Sequence, residues 1–157
     1  MEADLADWVL KTSEEVGFHA SPLAVAEAAL WRGEFAQAVA AADLLAQGAG
    51  QQGHQRGRLI ALEWGLQARA GLQRWDEILA RADAAIREAE EKSFRTRLWR
   101  MLAWRARARA ATGDQTGANA DRAAACALLD DMGRRITDPA LRAAFEADAV
   151  VAAVRNR

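Results

Sequence analysis

One short stretch of this chain occurs three times at a fixed spacing, and that recurrence restricts the fold to a stack of similar units. Arg32-Gly33-Glu34-Phe35-Ala36-Gln37-Ala38-Val39 reads as a helix end, a tight turn and the opening of the next helix. Gly33 suits the left-handed backbone that closes a helix, Glu34 favours the positive end of its successor, and Phe35 and Ala38 face inward. Gln73-Arg74-Trp75-Asp76-Glu77-Ile78 follows about 40 residues later, and Gly113-Asp114-Gln115-Thr116-Gly117-Ala118 about 40 beyond that. Ala38, Ile78 and Ala118 keep step. In an alanine-rich chain the matching alanines add little, so the turns carry the argument. Phe35, Trp75, Ala38, Ile78 and Ala118 are expected to be buried between helices.

The 157 residues suit one domain with a sizeable core. The hydrophobic share of 52% is inflated by alanine, the best helix former, and β-branched runs are lacking. The two prolines, Pro22 and Pro139, both stand where helices would begin. These features predict an all-α chain. A net charge of −1 offers no general attraction to nucleic acid or to an acidic membrane. Cys126 has no second cysteine to pair with and reads as a small core residue. The acidic, amphipathic N-terminus lacks a signal-peptide pattern, and no apolar run is long enough to span a bilayer. The expected location is the cytoplasm.

Taken in order, the pattern predicts a helix over 3–16, stopped by Gly17, and a second opened by Ser21 as N-cap and Pro22. Paired helices are expected at 20–32 with 34–47, 58–71 with 74–90, and 94–112 with 114–132. Gly48 to Gly57 reads as the widest loop. Ser93 and Asp114 read as caps, and Gly71, Gly113 and Gly133 as helix ends. Asp138 and Pro139 open a terminal segment over 138–154 that covers the last interface, as residues 3–16 cover the first. The layout is thus a single domain, 1–157. It has an N-terminal capping helix (1–17), repeats at 20–47, 58–91 and 93–133, and C-terminal capping helices (137–155).

Several motifs invite a chemical reading and fail it. Gly48, Gly50 and Gly53 form a literal G-x-G-x-x-G, but a dinucleotide site needs a strand before it, and here a helix precedes. His19 and His54 have no ligand partners at metal spacing and read as solvated loop residues. Arginines at 95, 97, 100, 105, 107 and 109 interleave with Trp99 and Trp104. Such a stripe can bind single-stranded nucleic acid, but the basic charge of the whole domain that such binders show is missing. Acidic residues at 88–91, Glu63 and Glu77 are expected to offset these arginines, with the tryptophans packing between helices. No nucleophile elbow, phosphate loop or zinc-protease motif occurs. Adjacent carboxylates such as Asp130 and Asp131 do not face one another on a helix. The expectation is a protein that is not an enzyme and uses no metal or cofactor.

Gly-Glu-Phe-x-Gln-Ala at 33–38 and Gly-Asp-x-x-x-Ala at 113–118 resemble the second-helix opening of tetratricopeptide (TPR) repeats. The long period is similar to the elongated TPR-like regions of bacterial LuxR-type regulators and ATPase-cyclase fusions. Arg135-Ile136-Thr137-Asp138-Pro139-Ala140-Leu141-Arg142-Ala143-Ala144-Phe145 is similar to the segment that closes such arrays. The resemblance spans about residues 20–146 and implies a right-handed α-α superhelix of about three repeats with capping helices. It implies a protein–protein interaction scaffold, the TPR portion of a signalling or transcriptional regulator, without the ATPase or effector domains. A small-ligand sensor that binds in the concave groove is the alternative. A protein or peptide is the expected partner, with a second copy in a homodimer also admissible.

If the pairs stack, their first helices line the inner surface. The repeat offset then places Glu27, Gln67 and Arg107 in one row and Leu23, Glu63 and Ala103 in another. Arg100 lies two turns before Arg107, with Trp104 between them. The candidate binding residues are Glu27, Glu63, Gln67, Arg100, Trp104 and Arg107, running from acidic at the first repeat to basic at the third.

Overall fold

The structure, a computed structural model, describes residues 22–51 and 53–155. Among them are eight helices and no strand: α1 (Pro22–Arg32), α2 (Phe35–Gln51), α3 (Gln55–Gly71), α4 (Trp75–Glu91), α5 (Arg95–Ala111), α6 (Gln115–Arg135), α7 (Pro139–Ala147) and α8 (Ala149–Arg155). The expected helix over 3–16, the Ser21 cap and His19 lie outside the described residues. The chain divides into two compact units, Met1–Glu77 and Ile78–Arg157.

The helices are more regular than the sequence suggests. Helices α2 to α5 each have 17 residues. Each described turn from α1 to α6 is built alike. A residue with positive φ closes the helix: Gly33 (73°), Gly53 (72°), Gln73 (57°), Ser93 (53°) and Gly113 (93°). The N–H of the next residue, at 34, 54, 74, 94 and 114, donates to the carbonyl five residues back at 2.8 to 3.0 Å. These bonds satisfy carbonyls that a helix end leaves open. The step is therefore one helix per twenty residues, half the recurrence visible in the sequence.

Gln73 and Ser93 adopt the left-handed conformation without glycine's freedom, at a cost of about 1–2 kcal/mol each. Glycine's larger unfolded-state entropy offsets part of any gain. Gln73→Gly and Ser93→Gly are each expected to raise stability by about 0.5–1 kcal/mol, read by chemical denaturation.

The loop expected from Gly48 to Gly57 is mostly helix. Gly48 and Gly50 lie in the last turns of α2, and α3 starts at Gln55. The Arg58 guanidinium lies across Gly50, where a Cβ would come within 3.0 Å of Nη1. That nitrogen donates to the Ala46 carbonyl at 2.6 Å, so the missing side chain permits a helix contact rather than a loop. Only Gly53 serves as a turn glycine. His54 is exposed and occupies the N-cap position of α3 without a side-chain capping bond.

In the first unit, α1 packs on α2 and α3, and α2 packs on α3. The core is alanine closing around one indole. Ala26, Ala41 and Ala42 meet Trp64, with Leu23, Leu30, Leu45 and Ile60 at the edge. Ala29, Ala38, Val39 and Ala68 form a second cluster. Small side chains let the helix backbones approach closely. Arg69 crosses this interface with its side chain 3% exposed. It meets Asp43 at 2.6 Å and Glu77 at 3.1 Å, and donates to the Gly65 carbonyl at 3.2 Å.

Ala38, Ile78 and Ala118 are buried as the register predicts, but Phe35 and Trp75 are half-buried. Both are the first residue of their helix, where the chain has just turned. The Phe35 ring lies on the end of α3, close enough that a Cβ on Gly71 would meet it at 2.6 Å. It covers a helix end instead of filling a core.

In the second unit, α5 packs on α6, and α7 and α8 pack on α6 and on each other. Leu98, Met101, Leu102, Ala125, Leu129 and Val151 are among the buried side chains. The N-cap of α6 is Asp114, which accepts from the Gly117 N–H at 2.8 Å. Helix α6 runs past Gly133, which is buried beside the Phe145 ring, and ends at Arg135. Asp138 caps α7 by accepting from the Leu141 N–H at 2.9 Å. The C-terminal segment expected to hold capping helices consists of two, α7 and α8, because Asp148 ends the first and caps the second by accepting from the N–H groups of Val150 and Val151.

Arg95, Arg105 and Arg109 of α5 find aspartate partners on α4, on α6 and at the α6 cap. Arg105 meets Asp83 and Asp121, Arg109 meets Asp121 and the α6 cap Asp114, and Arg95 meets Asp131. Partial desolvation raises the Asp131 pKa, but the Arg135 hydrogen bond and the charges of Arg135, Arg95 and Arg134 outweigh it. The carboxyl is held below its ordinary 3.8. A depressed pKa contributes stability above the unfolded value, and this is lost as pH falls through the folded value. Asp131→Asn is expected to flatten that part of the acid limb while leaving its shape above about pH 5 unchanged. Denaturation midpoints measured from acid to neutral pH check this.

Candidate functional site

Helix α5 presents Arg100, Ala103, Trp104 and Arg107 at helical spacing on one face, with Trp99 and Ala106 turned further inward. Trp99 is 3% exposed and forms part of the core wall. Opposite this face, α8 contributes Val150, Ala153 and Val154, and α6 contributes Arg122. Together these residues enclose a half-open cavity of about 110 Å³. Its interior is apolar: two indoles, two alanines of α5, and the α8 side chains. Among the described residues that line it, the polar ones are three arginines and none is acidic.

Two of the guanidiniums are laid on the aromatic walls. Arg100 Cζ lies 4.4 Å from the Trp99 ring centroid, and Arg107 Cζ lies 5.0 Å from that of Trp104. Such cation–π contacts contribute about 0.5–1 kcal/mol when exposed, and they fix the cations beside the cavity mouth. Arg122 reaches Asn119 at 3.4 Å. The arrangement can hold an apolar group inside and anionic groups at the rim.

The position of α8 decides whether this cavity exists. The helix is held by buried Val151, by the Asp148 cap, and by Arg155 on Asp130 at 2.8 Å. The Cys126 thiol lies 4.0 Å from the Val154 carbonyl, a weak contact that continues the packing of α8 on α6.

Of the six residues nominated by the repeat register, Arg100, Trp104 and Arg107 stand together at this cavity. The other three belong to the first unit. Glu27 is exposed on α1 and Gln67 is half-buried on α3. Glu63 is 1% exposed, which removes it from a solvent-facing row. Sequence reasoning missed Arg122, Val150 and Val154, because tertiary packing of α6 and α8 brings them here and no local spacing marks them.

Among the described residues, no helix is long and apolar enough to cross a membrane, and no group of His, Cys, Asp and Glu could hold a metal ion. No protein-family model, curated protein or solved structure matches the chain.

Proposed function

We propose that this chain is a non-enzymatic interaction module, a TPR-like helical solenoid that docks a protein or peptide partner at the α5–α6–α8 cavity. The twenty-residue helix step with recurring turns supports the repeat reading. The finer fold class proposed with it is a right-handed α-α superhelix of about three such repeats. One observation carries the functional reading: tryptophan and arginine side chains surround an apolar cavity whose described lining includes no acidic residue. Trp and Arg dominate binding energy in protein interfaces, because each combines large contact area with directed polar groups. The resemblance to regulator repeats suggests a role in bacterial signalling, within the cytoplasm.

The cavity itself favours a second reading, a sensor for a small organic anion. A thermal-shift comparison separates the two, since a ligand that binds only the folded state raises the melting temperature. Acidic peptides are expected to raise it and a panel of small metabolites to leave it unchanged. The opposite pattern would replace the interaction reading with the sensor reading.

A further inference from the structure

We infer that the cavity takes Trp31 of a second copy of this chain. This rests on the interaction reading above and names the partner. Trp31 is the exception among the described tryptophans. It is 85% exposed at the end of α1, whereas Trp64, Trp75, Trp99 and Trp104 are buried or half-buried. An indole left in water forgoes the burial that makes tryptophan a frequent anchor of protein interfaces. The second unit supplies the complement, a half-open apolar cavity of about 110 Å³ walled by indoles and valines. A closed cavity of about 150 Å³ holds a benzene ring, so this one suits the six-membered edge of an indole, with the N–H left at the mouth. Val150, 45% exposed on the cavity lining, would be covered by the same contact.

Charge agrees with the fit. Glu27 is exposed one turn before Trp31 on the same face of α1, and Glu34 follows just beyond the turn at Gly33. Arg32 ends α1 about 100° further round the helix. At the cavity, Arg100 rests on the Trp99 ring at 4.4 Å, and Arg122 reaches Asn119 at 3.4 Å. Among the described residues, Arg100 and Arg122 meet no carboxylate, and Glu27 and Glu34 meet no cation. Docking the end of α1 at the cavity brings these two carboxylates toward these two guanidiniums, around a ring that loses its water. Indole and cavity belong to different units. Copies therefore add head to tail into a ring or filament, or two copies exchange tryptophans reciprocally.

The test follows the mass of the full chain by light scattering and sedimentation from about 1 µM to about 1 mM. The parent is expected to associate within this range, and less so with added salt, which screens the charge pairs. Trp31→Ala removes the indole and Ala103→Leu fills the cavity, and each should weaken association about tenfold or more. Variants are compared only where they keep the parent melting temperature. If Ala103→Leu does not, Ala153→Leu fills the same space from an exposed position on α8. Glu27→Arg and Arg100→Glu should each weaken association as well. Mixing is decisive. Trp31→Ala keeps the cavity and the filled-cavity variant keeps the indole, so together they should form a one-to-one pair that neither forms alone. A parent that stays monomeric to about 1 mM overturns the inference. So does Trp31→Ala associating like the parent, or a mixture that stays monomeric. If acidic peptides still raise the melting temperature, the interaction reading stands without a second copy as partner. If only small metabolites raise it, both fail.

Discussion

Asp121→Asn is expected to lower the stability of the second unit by about 3–5 kcal/mol, the range for removing one partner of a buried charge pair. Asp121 is 4% exposed, on the α6 face that packs on α5. Its carboxylate accepts from Arg105 Nε at 2.8 Å and Nη2 at 2.6 Å, a two-pronged contact, and meets Arg109 Nη1 at 3.1 Å. The Asp121 hydrogen bond raises the pKa of Arg105 against the lowering effect of burial, with Asp83 adding to it. The amide keeps the volume but removes the charge and leaves one arm a donor facing donors. Arg105 and Arg109 would then be held against a surface that no longer offsets their desolvation. Asp83 and Asp114 are more exposed and compensate little. Urea denaturation followed by far-ultraviolet circular dichroism reads this loss. A shift below about 1 kcal/mol would mean that the pair behaves as a surface contact.

Trp64→Ala is the second large effect, about 3–5 kcal/mol, lost from the first unit. Trp64 is 8% exposed and is the one large side chain in a buried cluster whose other members are Ala26, Ala41 and Ala42. Alanines have no rotamers with which to fill the space an indole leaves. The helices would have to shift together, or the cavity would stay open, and open volume is what makes such substitutions costly. Trp64→Phe should recover much of the loss, because it restores a flat ring in the same space. Thermal melts of the three proteins order the effects. An alanine variant that melts with the parent would show that the alanine cluster is not a packed core.

Much of the fold is legible in the sequence, and the exceptions have physical causes. Gly33 and Gly113 announce their turns because glycine is the residue that adopts positive φ at little cost. Gln73 was readable only through its neighbours Trp75 and Ile78, which repeat the pattern around Gly33. The turns at Gly53 and Ser93 halve the visible period. One was masked by the surrounding glycines, which resemble a long loop, and the other by a serine read as an N-cap. Ser93 instead closes α4 with positive φ, and Phe94 takes the N-cap position. Arginine pairing was legible in kind but not in partner. Asp121 sits in an alanine-rich helix, and nothing in its local spacing distinguishes a buried aspartate from a solvated one. The candidate site divides the same way. Arg100, Trp104 and Arg107 follow from helical periodicity on one element, whereas Arg122 and the α8 valines depend on how three helices meet.

The most direct measurement is an NMR titration of the nitrogen-15-labelled chain, dilute enough to be monomeric, with an acidic peptide built around a central phenylalanine, following the tryptophan indole N–H signals. Four of the tryptophans separate the cavity from the first unit. Trp99 and Trp104 line the cavity, Trp64 sits in the core of the first unit, and Trp31 is 85% exposed at the end of α1. Docking at the cavity predicts that the Trp99 and Trp104 signals move together with added peptide, saturate at one equivalent, and fail to move in Arg100→Glu. The Trp31 and Trp64 signals should stay in place. Movement of Trp31 with Trp99 and Trp104 unchanged would contradict the docking site and locate the contact on the first unit instead.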